Sequence, residues 1–327
     1  MTPEIKEKLD LFVENYQVAA KAFKWDDALV VRLAAFLYAQ DSKSIDCDAI
    51  RECLNLIKSN TGVFSAFRDH KTLATLLSFS DNSDVLFTNI KTVYDLLKTA
   101  KFHTSDYLVI SAYQIAVNSD PSQYSRVVTR AKAFYDEMKK RHRFLTGEDD
   151  YISAVMLALS GIDIDAGTER MGQIYNQFKS EFRAEKNSVQ MLSQVLVLGD
   201  KTEETTQRIL ELRDALKNQK LRLDTTYSLP LLGLLALSNV DVDTLVNDIS
   251  DVQAYLREQK GFGKLSIDKE ELLIYAAAIL LTGYFKASDE NLITPMLSAS
   301  IIGIIIAEIT MIMIIMASVV AACVVSD

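Results

Sequence analysis

Apolar positions recur along this chain at a helical spacing of i, i+4, i+7 and i+11, and a basic residue follows each set at once. Leu86, Ile90, Val93 and Leu97 precede Lys98. Val127, Ala131, Phe134 and Met138 precede Lys139. Gly167, Met171, Ile174 and Phe178 precede Lys179. Thr205, Ile209, Leu212 and Leu216 precede Lys217, and Leu245, Ile249, Val252 and Leu256 precede Arg257. An earlier copy has Asp46, Ile50, Cys53 and Ile57 before Lys58. This spacing places the apolar residues on one face of an amphipathic helix. The basic residues stand at 58, 98, 139, 179, 217 and 257, in steps of 38 to 41. Three copies share a tyrosine just after the third apolar position, at Tyr94, Tyr135 and Tyr175.

A second apolar pair follows each basic residue by 18 and 19 positions, as in Leu76-Leu77, Leu157-Ala158 and Leu235-Ala236. These pairs lie in short, strongly apolar stretches such as Tyr107 to Val117 and Leu229 to Leu237. They read as inner helices, and the amphipathic ones as outer helices. Turn and cap residues punctuate them: Asp81-Asn82-Ser83, Asp120-Pro121-Ser122, Asp163, Gly199-Asp200 and Asn239-Val240-Asp241 after inner helices, and Thr104-Ser105-Asp106 before one. Thr146 to Asp149 matches a capping box.

A helix pair repeated at this period cannot bury its apolar face alone, whereas stacked copies share a continuous core. The expected fold is all-α: an α-solenoid of about six to seven helical hairpins with a period of about 40 residues, ending in an apolar C-terminal helix. The helix over Glu4 to Phe23 is expected to cap its N-terminal end, and a seventh inner helix is expected over Lys269 to Thr282. The expected division is a helical-repeat domain over 1–291 and a tail over 292–327.

The tail changes the picture. From Leu297 to Val325 the only charged residue is Glu308, and Ile301 to Val320 holds nine isoleucines. Twenty helical residues span about 30 Å, a bilayer core. On an insertion scale the isoleucines contribute roughly −3 to −5 kcal/mol, against about +3 for one central acid. Three readings compete: a membrane anchor over Ile301 to Val320 that tolerates Glu308, a helix packed on the last hairpin or in the concave groove, and a self-association segment. No aromatic belt or basic cluster flanks the run, and Ala299, Gly303, Ala307 and Ser318 suit helix-to-helix contact.

Composition narrows the function. Hydrophobic residues make up 49% of 327, with 11 glycines and 4 prolines, which disfavours a turn-rich sheet fold. A net charge of −9 disfavours nucleic acid as a partner. Cys47, Cys53 and Cys323 form no framework and suit reduced thiols. No basic, then apolar leader opens the chain, so a cytoplasmic body is expected.

Candidate chemistry is sparse. No phosphate loop, zinc-protease motif or nucleophile elbow is present, so no catalytic residue, cofactor or metal is assigned. Gly261-Phe262-Gly263-Lys264 reads as a helix end and linker, and Asp163 to Glu169 as helix capping rather than a calcium loop, since its twelfth position is Ile174. The basic run Lys139 to Arg143 reads as a solvated helix end, with an anionic ligand or lipid surface as the alternative. His70, His103 and His142 each lie just before an inner helix, along one edge. His103 with Asp106, and His142 with Asp149 and Asp150, make that edge the candidate ligand or metal site; capping and loop contacts are the plainer role.

Four stretches carry a resemblance: FRDHKTLA at 67–74, AKFHTSDY at 100–107, RHRFLTGEDDY at 141–151 and VQMLSQVLVLGD at 189–200. They resemble an uncharacterised family, found mostly in Gram-positive bacteria, labelled domain of unknown function 4003, over the body to about Asn291. The resemblance implies a single helical domain and a cytosolic body, and lends no catalytic residue, cofactor or substrate. The expected function is therefore a non-catalytic protein-binding or scaffold protein of unidentified partner, tethered to a membrane if the tail anchors. The alternative is a ligand- or metal-binding protein or enzyme that uses the His/Asp edge.

Overall fold

The computed structural model describes residues 2–24, 28–182, 186–199, 203–225, 227–238, 240–287, 303 and 307–316. These residues are all-α, with no strand among them. The helices are α1 (Pro3–Ala22), α2 (Ala28–Gln40), α3 (Cys47–Ser59), α4 (Lys71–Leu77), α5 (Ser83–Thr99), α6 (Asp106–Asn118) and α7 (Tyr124–Arg141). They continue as α8 (Asp150–Leu159), α9 (Ile164–Phe178), α10 (Lys186–Leu198), α11 (Glu203–Asn218), α12 (Leu229–Leu237), α13 (Val242–Glu258) and α14 (Lys269–Ala287).

Local rules explain the alternation. In α3 only Ile50, Cys53 and Ile57 are buried, the face the spacing selects. Asp46 opens that helix by accepting from the main-chain N–H groups of Asp48 and Ala49, at 3.1 and 2.9 Å. In α12 every residue from Leu229 to Ala236 is buried. Odd-numbered helices thus bury one stripe and even-numbered helices all sides, each fully buried Leu or Ile contributing roughly 1.5–3 kcal/mol. Two outer helices end in a left-handed residue, Lys101 (φ 70°) and Lys220 (φ 59°). The N–H of the next residue then bonds back to the last turn, Phe102 to Leu97 and Leu221 to Leu216. Phe102 and Leu221 are buried, so the chain turns inward there while the lysines stay outside.

The inner layer closes. α2 packs on α4, and the contact passes through α6, α8, α10 and α12 to α14, which packs back on α2 and also on α1. An open array would leave α1 and α14 apart. Here Phe12 of α1 stacks near Phe262 and Tyr275, with ring centroids 5.2 and 5.1 Å apart. Arg32 of α2 pairs with Glu271 of α14 at 3.0 Å, both side chains under a tenth exposed, and also donates to the Ser266 carbonyl. Gly261, at φ +93°, lies so close to the Tyr16 ring that a Cβ would meet it. The helix expected as an N-terminal cap is therefore the outer half of a first hairpin, sealed against the last one by aromatic packing and a buried ion pair.

The capping box expected at Thr146 to Asp149 does not form. Asp149 precedes α8 without a side-chain cap bond. Thr146 is buried, and its hydroxyl accepts from Gln190 at 3.1 Å. The neighbouring hairpin takes the group that the local motif would have used. Asp163, by contrast, caps α9 as expected, accepting from the Ala166 N–H at 3.0 Å.

Residues 307–316 are helical and buried on all faces, with Ala307 to Met313 at most 1% exposed. Serial residues of a helix are hidden together only when protein surrounds it. Glu308 meets Ser153 of α8, Met313 and Ile314 lie with Leu29 and Leu33 of α2, and Ile315 lies with Tyr107 of α6 and Met191 of α10. Neighbours on α2, α6, α8 and α10, together with its near-complete burial, put this segment inside the ring. Among the described residues no helix is long and apolar enough to cross a membrane. Ile301, Val320, Cys323, Ala299 and Ser318, and the tail boundary at 291–292, lie outside the described residues.

Candidate functional site

The loops that join odd to even helices gather at one end of the ring. Asp149, before α8, accepts from Asn187 at the start of α10 at 2.9 Å. His103, before α6, donates its main-chain N–H to the Tyr151 hydroxyl at 3.1 Å. Thr225, before α12, meets Glu270 of α14. This loop end holds every residue of the expected His/Asp edge, but not as one site. His103 is exposed, and Asp106 is exposed in the first turn of α6. His142 ends α7, with its ring centroid 4.3 Å from that of Tyr175. Burial and the nearby Arg141 and Lys179 cations hold its pKa below the ordinary histidine value. No group of three His, Cys, Asp or Glu among the described residues is arranged to hold a metal ion. Cys47 and Cys53 are free thiols.

His142 and Tyr175 belong to a repeated contact. Tyr94 packs on Phe67 at 4.7 Å, Tyr135 on Phe102 at 5.5 Å, and Tyr175 on His142. The tyrosine that recurs in the sequence thus meets a ring from the preceding hairpin's loop. In this set the histidine acts as an aromatic wedge between hairpins.

Asp150 is buried at the start of α8. Its carboxylate accepts from the Gly147 N–H at 2.9 Å and from the side-chain amides of Gln190 at 3.0 Å and Gln194 at 2.5 Å. Burial, then the neighbouring Asp149, pushes its pKa well above the usual carboxylate range, and the three donors oppose that shift. Glu308 is fully buried nearby. Its Oε1 accepts from the Ser153 hydroxyl at 3.4 Å, and its Oε2 has no hydrogen-bond partner among the described residues. Burial raises its pKa to about 8, and Asp150 adds to the rise. Glu308 is therefore held protonated at neutral pH, the state in which an acid sits among isoleucines and methionines at least cost.

Two clefts open at the loop end beside this helix. The larger, about 570 Å³, is lined by Leu29, Leu33, His70, Thr72, Asp106 and Met313. His70 caps α4, its Nδ1 accepting from the Leu73 N–H at 3.1 Å. Its Nε2 is buried without a partner among the described residues. Burial lowers its pKa, and Asp106 opposes the shift. The smaller cleft, about 170 Å³, lies between Tyr107, Asp149, Asn187, Tyr227 and Ile315. Sequence reasoning placed His70 on the edge but left it out of the candidate pair set. Its signal was position, directly before an apolar helix where a side-chain acceptor caps. Ser153 has no comparable signal, since α8 also carries Asp150 and the Tyr151 hydroxyl.

Comparison with known proteins agrees with a family lacking assigned chemistry. No solved structure matches the chain. A stretch of 173 residues is 24% identical to the protein called "Uncharacterized protein YeaA" of Bacillus subtilis (strain 168), covering 51% of this chain and 53% of that one. The match thus spans about half the length of that relative. The model of the family described as "Protein of unknown function (DUF4003)" matches residues 15–316, running past Asn291 to take in the buried helix 307–316, and the chain belongs to that family.

Proposed function

We propose that the protein is a non-catalytic helical-repeat binding or scaffold protein that works through its loop end rather than its interior. The observation that carries this reading is the buried helix 307–316: the chain's own segment occupies the space a ring of helices would otherwise offer to a substrate. The closed ring makes a stiff support, since each hairpin is held on both sides. Membrane tethering through the tail is left out of this reading, because residues 307–316 are buried within protein and Glu308 meets the Ser153 hydroxyl there.

The test compares full-length protein with the full-length variant V63S/F64S/F144S/L265S as capture baits. Bound protein and lipid are identified by mass spectrometry. Material retained by the unaltered chain and lost with the variant supports the reading; identical recoveries from both would sink it.

A second reading has one observation in its favour, the cleft of about 570 Å³ with His70 Nε2 buried and without a hydrogen-bond partner among the described residues. It makes the loop edge a small-molecule site in which His70 and Asp106 take the polar groups. A thermal-shift screen on the protein and on His70→Gln checks it: a ligand whose shift disappears with the substitution favours this reading, and no shift from any compound removes it.

A further inference from the structure

Chain topology sorts charge between the two ends of the ring. Outer helices finish at the loop end in exposed Lys98, Lys139, Lys179 and Lys217. The loops beyond add exposed Lys101, Arg143, Lys220, Arg222, Lys260 and Lys264. Exposed acids among the described residues of this end are Asp69, Asp95, Asp106, Glu181, Asp214, Glu258 and Asp268, fewer than the cations. Three of these are tied down, Asp69 to Lys58 at 3.1 Å and Glu181 and Asp214 to Arg213 at 3.2 and 2.8 Å, while Arg222 is in turn paired with Asp224 at 3.0 Å. The opposite end starts the outer helices and is acidic, with Asp46, Asp163 and Asp241 as caps beside Asp81, Asp84 and Asp120. In a chain of net charge −9, a basic face runs against the overall balance.

The same end carries the most exposed large apolar side chains among the described residues. Phe64 is 101% exposed, Phe144 97%, Leu265 105% and Val63 71%. They sit on three separate loops, α3–α4, α7–α8 and α13–α14, spread around the ring. Single exposed apolar residues are ordinary. Fully exposed tips on three loops of one face, standing among lysines and arginines, are not a random scatter.

We propose that the loop end docks on an anionic lipid bilayer surface, with Val63, Phe64, Phe144 and Leu265 entering the headgroup layer and the surrounding lysines and arginines holding lipid phosphates. The proposal rests on the reading of the loop end as the working face and names the partner there. A bilayer offers both layers this face needs, an anionic surface and an apolar one beneath it. Nucleic acid fits less well: Val63 and Leu265 have no ring to stack on bases, and the rest of the body is acidic. A protein partner would favour one contiguous apolar centre, whereas these tips are dispersed over three loops.

The test is co-sedimentation of the full chain with vesicles of phosphatidylcholine alone or with phosphatidylglycerol added. Two full-length variants are run beside it, V63S/F64S/F144S/L265S and R143E/K260E/K264E, each first checked for an unchanged unfolding midpoint. The unaltered chain is expected to bind the anionic vesicles, to ignore the neutral ones and to weaken as salt rises; each variant is expected to lose at least about tenfold in partitioning. Absence of binding to anionic vesicles overturns the proposal. So does equal binding by all three proteins, since both variants keep the apolar tail and binding would then come from it. If vesicle binding is absent while a captured protein is still lost with the tip variant, the lipid proposal falls and the loop-end reading stands. If neither depends on the tips, both fall.

Discussion

Glu271 and Glu308 are both carboxylic acids buried inside the ring, and the structure handles them in opposite ways. Glu271 sits at the seam where α14 meets α2, paired with Arg32 at 3.0 Å. Glu308 sits in the interior helix with the Ser153 hydroxyl at 3.4 Å and no cation partner among the described residues. At the seam the carboxylate is matched by a guanidinium that also donates to the Ser266 carbonyl. In the interior the charge is removed, since burial raises the pKa to about 8. The seam joins the first hairpin to the last helix of the ring and uses a directional contact to fix their register. The interior accepts an apolar helix and needs its one acid to be neutral.

The sharpest way to break this contrast is to remove the seam cation. Arg32→Ala leaves Glu271 buried beside a void, and loss of one partner of a buried pair typically costs roughly 3–5 kcal/mol. Urea unfolding at neutral pH is expected to show that drop. Replacing both partners together, Arg32→Met with Glu271→Met, is expected to recover most of it, because the uncompensated charge is then gone. A double variant as unstable as Arg32→Ala would mean that the ion pair does not account for the seam.

The interior acid is expected to show itself through pH. Glu308 has a folded-state pKa of about 8 against an ordinary 4.5. Its contribution to stability is therefore fully present below about pH 4.5, declines as pH rises, and is gone above about pH 8. With each pKa unit worth about 1.4 kcal/mol, and relaxation of the site trimming the total, a loss of roughly 2–4 kcal/mol is expected across that window. Glu308→Gln keeps the shape without the proton and is expected to flatten this part of the stability curve. Unfolding midpoints between pH 5 and 9 for both proteins decide it; parallel curves would show that Glu308 is not the titrating group.

The two acids also mark what sequence reasoning reached. The outer helices were legible because they obey local rules: one apolar stripe and a basic end, with a cap such as Asp46 or Asp163 opening several of them. The inner helices were legible as continuous apolar runs. Closure was not, because Arg32 and Glu271 are 239 residues apart and nothing local pairs them. The capping box at Thr146 failed for a related reason, since Gln190 of another hairpin takes the hydroxyl. Glu308 was legible as an anomaly, one acid in an apolar run, but the same run suits lipid or protein. What separates them is Ser153, and that hydroxyl carries no mark in the sequence of where it points.

Ser153 sharpens the comparison at a smaller scale. It donates to Glu308 Oε1, so Ser153→Ala removes the contact that favours the charged form. The expected cost is about 1 kcal/mol at high pH, where Glu308 is ionised, and less at low pH, where the protonated acid demands less of its surroundings. The midpoint of the Glu308 transition is expected to move upward. An unchanged midpoint would show that the 3.4 Å contact has no hold on the acid.

The smallest effect belongs where neither device operates. Phe64, Phe144 and Leu265 at the loop end are essentially fully exposed, so each makes no burial to lose. Phe64→Ser, Phe144→Ser and Leu265→Ser are each expected to change unfolding stability by no more than about 0.5 kcal/mol. That silence is informative beside the seam and the interior. A buried side chain such as Phe12 holds its place by packing, with Phe36, Phe262 and Tyr275 around it. An exposed phenylalanine with no bearing on folding contributes only what it meets outside the molecule. Urea midpoints for the three variants check this directly; a loss of 2 kcal/mol or more, on the scale of truncating a core side chain, would place these residues in the fold's own packing and remove the reason to regard them as a contact surface.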